Sequence, residues 1–224
     1  MASTLAQLAP ARVEGVKRVL FAICLLPLAR LAWLGAGGGL GANPIEFVTH
    51  STGRWTLTFL LVTLAVTPLR RWLGWNWLLR LRRMLGLFAF FYAALHFSTY
   101  LVLDQFFDLG AIAKDVLKRP YITVGFTAFV LLIPLAVTST NAMVRRLGAR
   151  RWQRLHRLVY VIGVAGVVHW WWLVKADIRL PLAYGAVLAV LLGARLRWRL
   201  AAPGGTPVNA AATAAAPRRR SPAP

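Results

Sequence analysis

The chain has 224 residues, 58% of them hydrophobic, and a formal net charge of +21. Ordinary soluble domains are about 45–50% apolar, so a mean hydropathy of +0.60 marks an integral membrane protein with no length left for a large soluble domain. The basic excess does not read as a nucleic-acid surface, because the arginines stand where apolar runs end.

The first apolar run covers about residues 18–36 and follows Arg12, Lys17 and Arg18. It exceeds the usual core of a cleaved leader and reads as a retained span. The single cysteine, Cys24, lies inside it as a small packing residue, which leaves no intrachain disulfide or thiolate cluster. Arg30, also in this run, either snorkels to the outer interface or pairs with an anionic cofactor group. His50 falls in the loop that follows and reads as a solvated or capping residue rather than a metal ligand. Further spans are expected at 54–70, 83–103, 120–139, 152–174 and 180–198. The stretch after residue 200 is rich in alanine and proline and is expected to be a disordered tail.

Loop charges orient these spans. The connection between the second and third holds Arg70, Arg71, Arg80, Arg82 and Arg83 without an acid. The connection between the fourth and fifth holds Arg145, Arg146, Arg150 and Arg151, again without one. The three remaining loops are nearly neutral: Glu46 in the first, Asp104, Asp108 and Asp115 against Lys114, Lys118 and Arg119 in the second, Lys175 and Asp177 in the third. The positive-inside rule then places both termini in the cytoplasm. The expectation is an all-α membrane protein: a cytoplasmic arm over 1–17, a six-transmembrane-helix bundle over 18–199, and a cytoplasmic tail over 200–224. Most of the tryptophans fall near span ends, as in an aromatic belt.

Topology gives each intramembrane histidine a depth. His96 lies thirteen residues past Arg83, about 20 Å above the cytoplasmic edge at about 1.5 Å per residue. His156 lies near the cytoplasmic side of the fifth span, and His169 stands about 20 Å higher by the same rise. His96 and His169 therefore share a level in the outer half. Two imidazoles facing each other across a helical bundle are the ligand set of a bis-histidine haem. The bland reading is that each bonds a backbone carbonyl or a hydroxyl. Thirteen residues leave His156 and His169 roughly 140° apart on an ideal helix, so a kink or π-bulge near Gly163 and Gly166 is needed to align them. The reading assigns one haem to His96 and His169, and makes His156 the ligand of a second cofactor or of an incomplete second site. Fourteen positions before His96 stands Arg82, which cannot ligate iron but, with Arg83, is a candidate contact for a propionate or a phosphate.

Four segments carry a resemblance: "NPIEFVTHSTG", "LAVTPLRR", "RRMLGLFAFFYAALH" and "LAVTSTNAMVRRLGARRWQRLHRLVYV". Over about residues 15–198 the chain resembles the MsrQ family, the haem-binding membrane subunit of the bacterial periplasmic methionine sulfoxide reductase system, within the wider ferric reductase and NADPH oxidase transmembrane group. The resemblance implies a ferric reductase-like b-type cytochrome of the inner membrane that also binds FMN. Such a subunit takes electrons from the quinone pool or a cytoplasmic flavin reductase and passes them to a periplasmic molybdopterin catalytic subunit that repairs oxidised proteins. It is an electron-transfer subunit and not itself the catalytic one. The family's haem histidines correspond to His96, His156 and His169. The wider group has a second histidine on the third span and a soluble FAD/NADPH domain; this sequence has neither. A stand-alone ferric or quinone oxidoreductase of the same fold, and a colourless transporter or structural protein, are the competing readings.

Overall fold

The computed structural model describes residues 8–174 and 176–201; most of the tail expected after residue 200, and Lys175, lie outside them. Helix α1 is Pro10–Ala36 and α2 is Pro44–Leu73. A 3-10 turn, Asn76–Leu78, leads into α3, Leu79–Thr99, which continues as a π-helical turn over Tyr100–Asp104. Then come α4, Leu109–Lys118, α5, Pro120–Val137, and α6, Asn141–Leu147. Helices α7, Ala149–His156, α8, Leu158–Leu173, and α9, Arg179–Leu200, complete the described chain.

Four of the expected spans recur as helices long and apolar enough to cross a membrane: Pro10–Ala36, Asn76–Asp104, Pro120–Val137 and Arg179–Leu200. The other two differ from expectation in ways with local causes. Helix α2 starts ten residues earlier than the apolar run, because "NPIE" is a start signal: the Asn43 side chain accepts from Glu46 N–H (3.2 Å) and donates to the Glu46 carboxylate (2.9 Å), with Pro44 at the first helical position. His50 is thus helical and not in a loop. At its other end α2 stops at Gly74, in the left-handed conformation (φ 72°). The expected fifth span is interrupted at Arg157, where Arg157 N–H bonds the Arg154 carbonyl and Tyr160 N–H bonds the Arg157 carbonyl. These tighter three-residue steps re-phase the helix. The change falls there and not at Gly163 or Gly166, which instead pack against Leu188 and Leu57.

The core lies where α2, α3, α8 and α9 meet, around Leu60, Leu64, Leu85, Tyr92, Ile162 and Leu188. Phe59 stacks on Tyr92 at 5.2 Å and meets Phe88 at 5.8 Å, giving α2 and α3 an aromatic seam. Pro27, Pro68 and Pro134 stand inside helices, where a proline exposes backbone groups that no water can satisfy in lipid, and at the first two, side chains from other helices bond neighbouring backbone groups. Beside Pro27 in α1, the Tyr92 hydroxyl donates to the Cys24 carbonyl (2.8 Å) and accepts from Leu28 N–H (3.2 Å). Those two groups are the pair an unbroken helix would join. Pro68 in α2 cannot donate to the Leu64 carbonyl, and the Arg195 guanidinium of α9 donates to it instead, while also bonding the Leu191 carbonyl at 2.8 Å.

Candidate functional site

Helices α3 and α8 bring His96 and His169 together with ring centroids 6.2 Å apart and ring planes at 74°. Each ring is fixed by a backbone carbonyl of a neighbouring helix: His96 Nδ1 lies 2.9 Å from the Thr49 carbonyl of α2, and His169 Nδ1 lies 2.6 Å from the Tyr121 carbonyl of α5. A carbonyl only accepts, so in both rings Nδ1 carries the proton and Nε2 keeps its lone pair. This is how metal-binding histidines are oriented by their outer contacts. The bland reading of a histidine bonded to a carbonyl therefore describes one edge of each ring and leaves the other edge available.

Both rings line a cavity of about 720 Å³, within the range of cofactor clefts. Leu57, Leu60, Ala128, Leu132 and Ile162 form its apolar walls, and His50, Arg54, Asp104, Arg119 and Asp177 stand toward its mouth. Two imidazoles about 6 Å apart, each placing a nitrogen about 2 Å from one ion between them, suit a six-coordinate metal whose other ligands come from a planar macrocycle. No group of three or more metal-binding side chains gathers among the described residues, so an all-protein ion cage is not the alternative. The donor chemistry, the spacing and the apolar walls all fit haem.

Arg54 and Arg119 were not singled out from sequence. Arg119 precedes α5, where it pairs with Asp115 (3.4 Å) and bonds the Tyr121 hydroxyl (3.5 Å). The Tyr121 hydroxyl, with the Asp115 carboxylate, pushes its pKa up and keeps the cation in place. His50 sits one helical turn from Glu46, at 4.0 Å. Arg30 lies over the Phe47 ring at 5.8 Å, apart from the cavity lining.

His156 stands elsewhere. Its ring stacks on Trp152 with centroids 3.9 Å apart, and its Nε2 lies 3.0 Å from the Thr138 hydroxyl. Trp152 in turn donates to the Thr138 carbonyl (2.8 Å). The sequence has four histidines, all now placed, so no second imidazole faces His156. Arg82 lies within electrostatic reach of His156 and Arg195. Arg83 bonds the Asn141 side chain (3.0 Å) and lines a separate groove of about 670 Å³ with Lys17, Arg18, Arg80, Phe21 and Phe91.

The ferric reductase like transmembrane component family matches residues 52–167, a stretch that contains His96 and His156 and ends two residues before His169. A protein-methionine-sulfoxide reductase heme-binding subunit MsrQ of Herminiimonas arsenicoxydans is 60% identical over 191 residues, 84% of this chain and 88% of that one. This chain belongs to the MsrQ family. The MsrQ of Ralstonia nicotianae is 58% identical over 193 residues, covering 85% of this chain and 89% of its own. That of Rhodospirillum rubrum is 58% identical over 179 residues, covering 79% and 85%. No solved structure matches the chain.

Proposed function

We propose that this chain is a six-span b-type cytochrome of the bacterial inner membrane. In this reading it carries electrons from the quinone pool or a cytoplasmic flavin reductase to a periplasmic molybdopterin methionine sulfoxide reductase. The relatives' names supply the system, and the imidazole pair carries the chemistry: two Nδ1-anchored rings 6.2 Å apart, with Nε2 free, in an apolar cavity. The spans are α1, α2, α3, α5, α7 with α8, and α9. At 30 residues α2 is about 45 Å long, ample for a bilayer. The arginine-rich connections support cytoplasmic termini.

Haem b, when bound, accepts and releases one electron without making or breaking bonds in a substrate. The chain's own work is to hold and to exclude. His96 and His169 would hold the iron, and the Thr49 and Tyr121 carbonyls keep their tautomers. Leu57, Leu60, Leu132 and Ile162 keep water away. Arg54 and Arg119 offer positive charge at the mouth, where carboxylates of a macrocycle would be met. The reduction of methionine sulfoxide belongs to the partner, which docks on the outer face around residues 37–53, including the start of α2, and 104–119, including α4.

FMN comes to this chain through its family. Its phosphate needs cations and its ring a flat apolar wall, and the groove of Lys17, Arg18, Arg80 and Arg83 over Phe21 and Phe91 offers both. Of the two arginines expected to contact a phosphate, Arg83 is in that groove and Arg82 lies toward His156 instead. Flavin fluorescence released from purified protein is expected to fall in Arg80→Gln/Arg83→Gln; unchanged flavin content would place FMN elsewhere.

The test of the main reading is the absorbance spectrum of the detergent-solubilised chain, oxidised and then reduced. Wild type is expected to show a reduced-haem Soret and α band, and His96→Ala and His169→Ala are expected to lose them. Full haem content in both variants would overturn the assignment, and a colourless wild type would favour a transporter or structural protein.

A further inference from the structure

We infer that both imidazoles are set by one repeated device, a bracket made of a carbonyl acceptor and a glycine four residues later on the neighbouring helix. On α2 the pair is Thr49 and Gly53, facing His96; on α5 it is Tyr121 and Gly125, facing His169. The inference rests on the haem reading above.

In an α-helix the carbonyl of one residue points toward the amide four positions on. The side chain at that later position flanks the carbonyl and limits sideways approach to it. A ring that is to donate to the carbonyl from a neighbouring helix needs that flank bare. A Cβ at Gly125 would lie 2.6 Å from His169 Nδ1 and 2.8 Å from its Cε1. A Cβ at Gly53 would lie 3.0 Å from His96 Cε1 and 3.1 Å from its Nδ1. In each case the contact is with the very ring edge that makes the hydrogen bond: at Gly125 the ring must tilt and the bond to the carbonyl must lengthen or break, while at Gly53 the ring must give by a few tenths of an ångström. Thr49 to Tyr121 and His96 to His169 are separated by almost equal lengths of chain, so the same bracket recurs once in each half of the bundle.

Two things follow for the ring held there. The carbonyl fixes Nδ1–H, which makes Nε2 the ligating nitrogen and strengthens it as a donor. The bracket also fixes the rotation of each ring, and with it the 74° between the two planes. Gly53 and Gly125 are positioning residues, acting on iron through His96 and His169.

Alanine is the better helix former, so helix propensity and the bracket predict opposite outcomes for Gly→Ala. The control is Gly86→Ala on α3, whose Cβ would meet only Thr63 Cγ2 at an ordinary 3.7 Å. The full chain is purified from membranes for each variant. Haem per chain is read by pyridine haemochrome, the axial field by electron paramagnetic resonance of the ferric protein, and the midpoint potential by redox titration. Gly125→Ala is expected to lose more than half of its haem, and the haem it keeps to show an altered low-spin signal and a higher potential, because the ring has lost its carbonyl acceptor. Gly53→Ala is expected to keep most of its haem with a smaller shift in the same direction, and Gly86→Ala to match wild type. If Gly125→Ala does not accumulate, the spectrum and potential of Gly53→Ala decide. Wild-type haem content, signal and potential in Gly53→Ala and Gly125→Ala would overturn the bracket while leaving the haem site intact. Absence of haem from the wild type would overturn the site itself.

Discussion

Tyr92→Phe removes one oxygen atom from a fully buried side chain and takes away its hydrogen bonds to two backbone groups of α1, the Cys24 carbonyl and the Leu28 amide. Interhelical hydrogen bonds in membranes contribute about 0.6 kcal/mol on average and up to about 1.7. A buried polar group left unsatisfied costs about 1–3 kcal/mol. Two bonds to main-chain groups sealed beneath Tyr92 therefore put the loss at about 2–3 kcal/mol. The reasoning makes a sharper claim through Pro27. With Pro27→Ala the helix can close, Leu28 N–H can bond the Cys24 carbonyl directly, and the hydroxyl is no longer needed. Tyr92→Phe should then cost about 1 kcal/mol or less in the Pro27→Ala background. The assay is a double-mutant cycle by equilibrium unfolding in mixed micelles. An equal cost of Tyr92→Phe in both backgrounds would refute the argument that the hydroxyl repairs a proline break.

The same logic applies to Arg195. Arg195→Met is expected to destabilise by about 1–3 kcal/mol, and Arg195→Lys to recover little, because one ammonium cannot span the Leu64 and Leu191 carbonyls as a guanidinium fork does; an unfolding midpoint for Arg195→Lys equal to wild type counts against this. Were His96 and His169 to hold a haem iron with the 74° between their rings kept, the ferric protein should give a strongly anisotropic low-spin resonance, and a rhombic signal would contradict the geometry. His156 faces no second imidazole, so wild type is expected to hold one haem per chain. His156→Ala should keep that haem and lose reduction by a donor on the cytoplasmic side; two haems per wild-type chain by pyridine haemochrome would show this to be wrong.

The helices that bear the cavity histidines were legible because arginines punctuate the apolar runs, and a constant rise per residue turns sequence distance into depth. That put His96 and His169 at one level, and the structure brings their rings together. The early start of α2 was also written in the sequence, as Asn43, Pro44 and Glu46, but hydropathy alone reads that stretch as loop. The interruption at Arg157 carries no glycine or proline and has no local signature. The partners of Pro27 and Pro68 come from other helices, as do the carbonyls facing the two histidines. No spacing rule within one helix reveals them. Gly53 and Gly125 look like any helical glycine until the ring each one accommodates is in place.

The side-chain repairs of the bent helices impose an order on biosynthesis. Cys24 and Leu28 leave the ribosome well before Tyr92, which follows them by 68 and 64 residues. The Leu64 carbonyl waits longer still, for a guanidinium 131 residues downstream. Until the final span is inserted, the second span carries an unfilled acceptor at membrane depth. A nascent chain truncated before Arg195 is thus expected to be less stable than the full chain, even though its cavity-forming helices are already made.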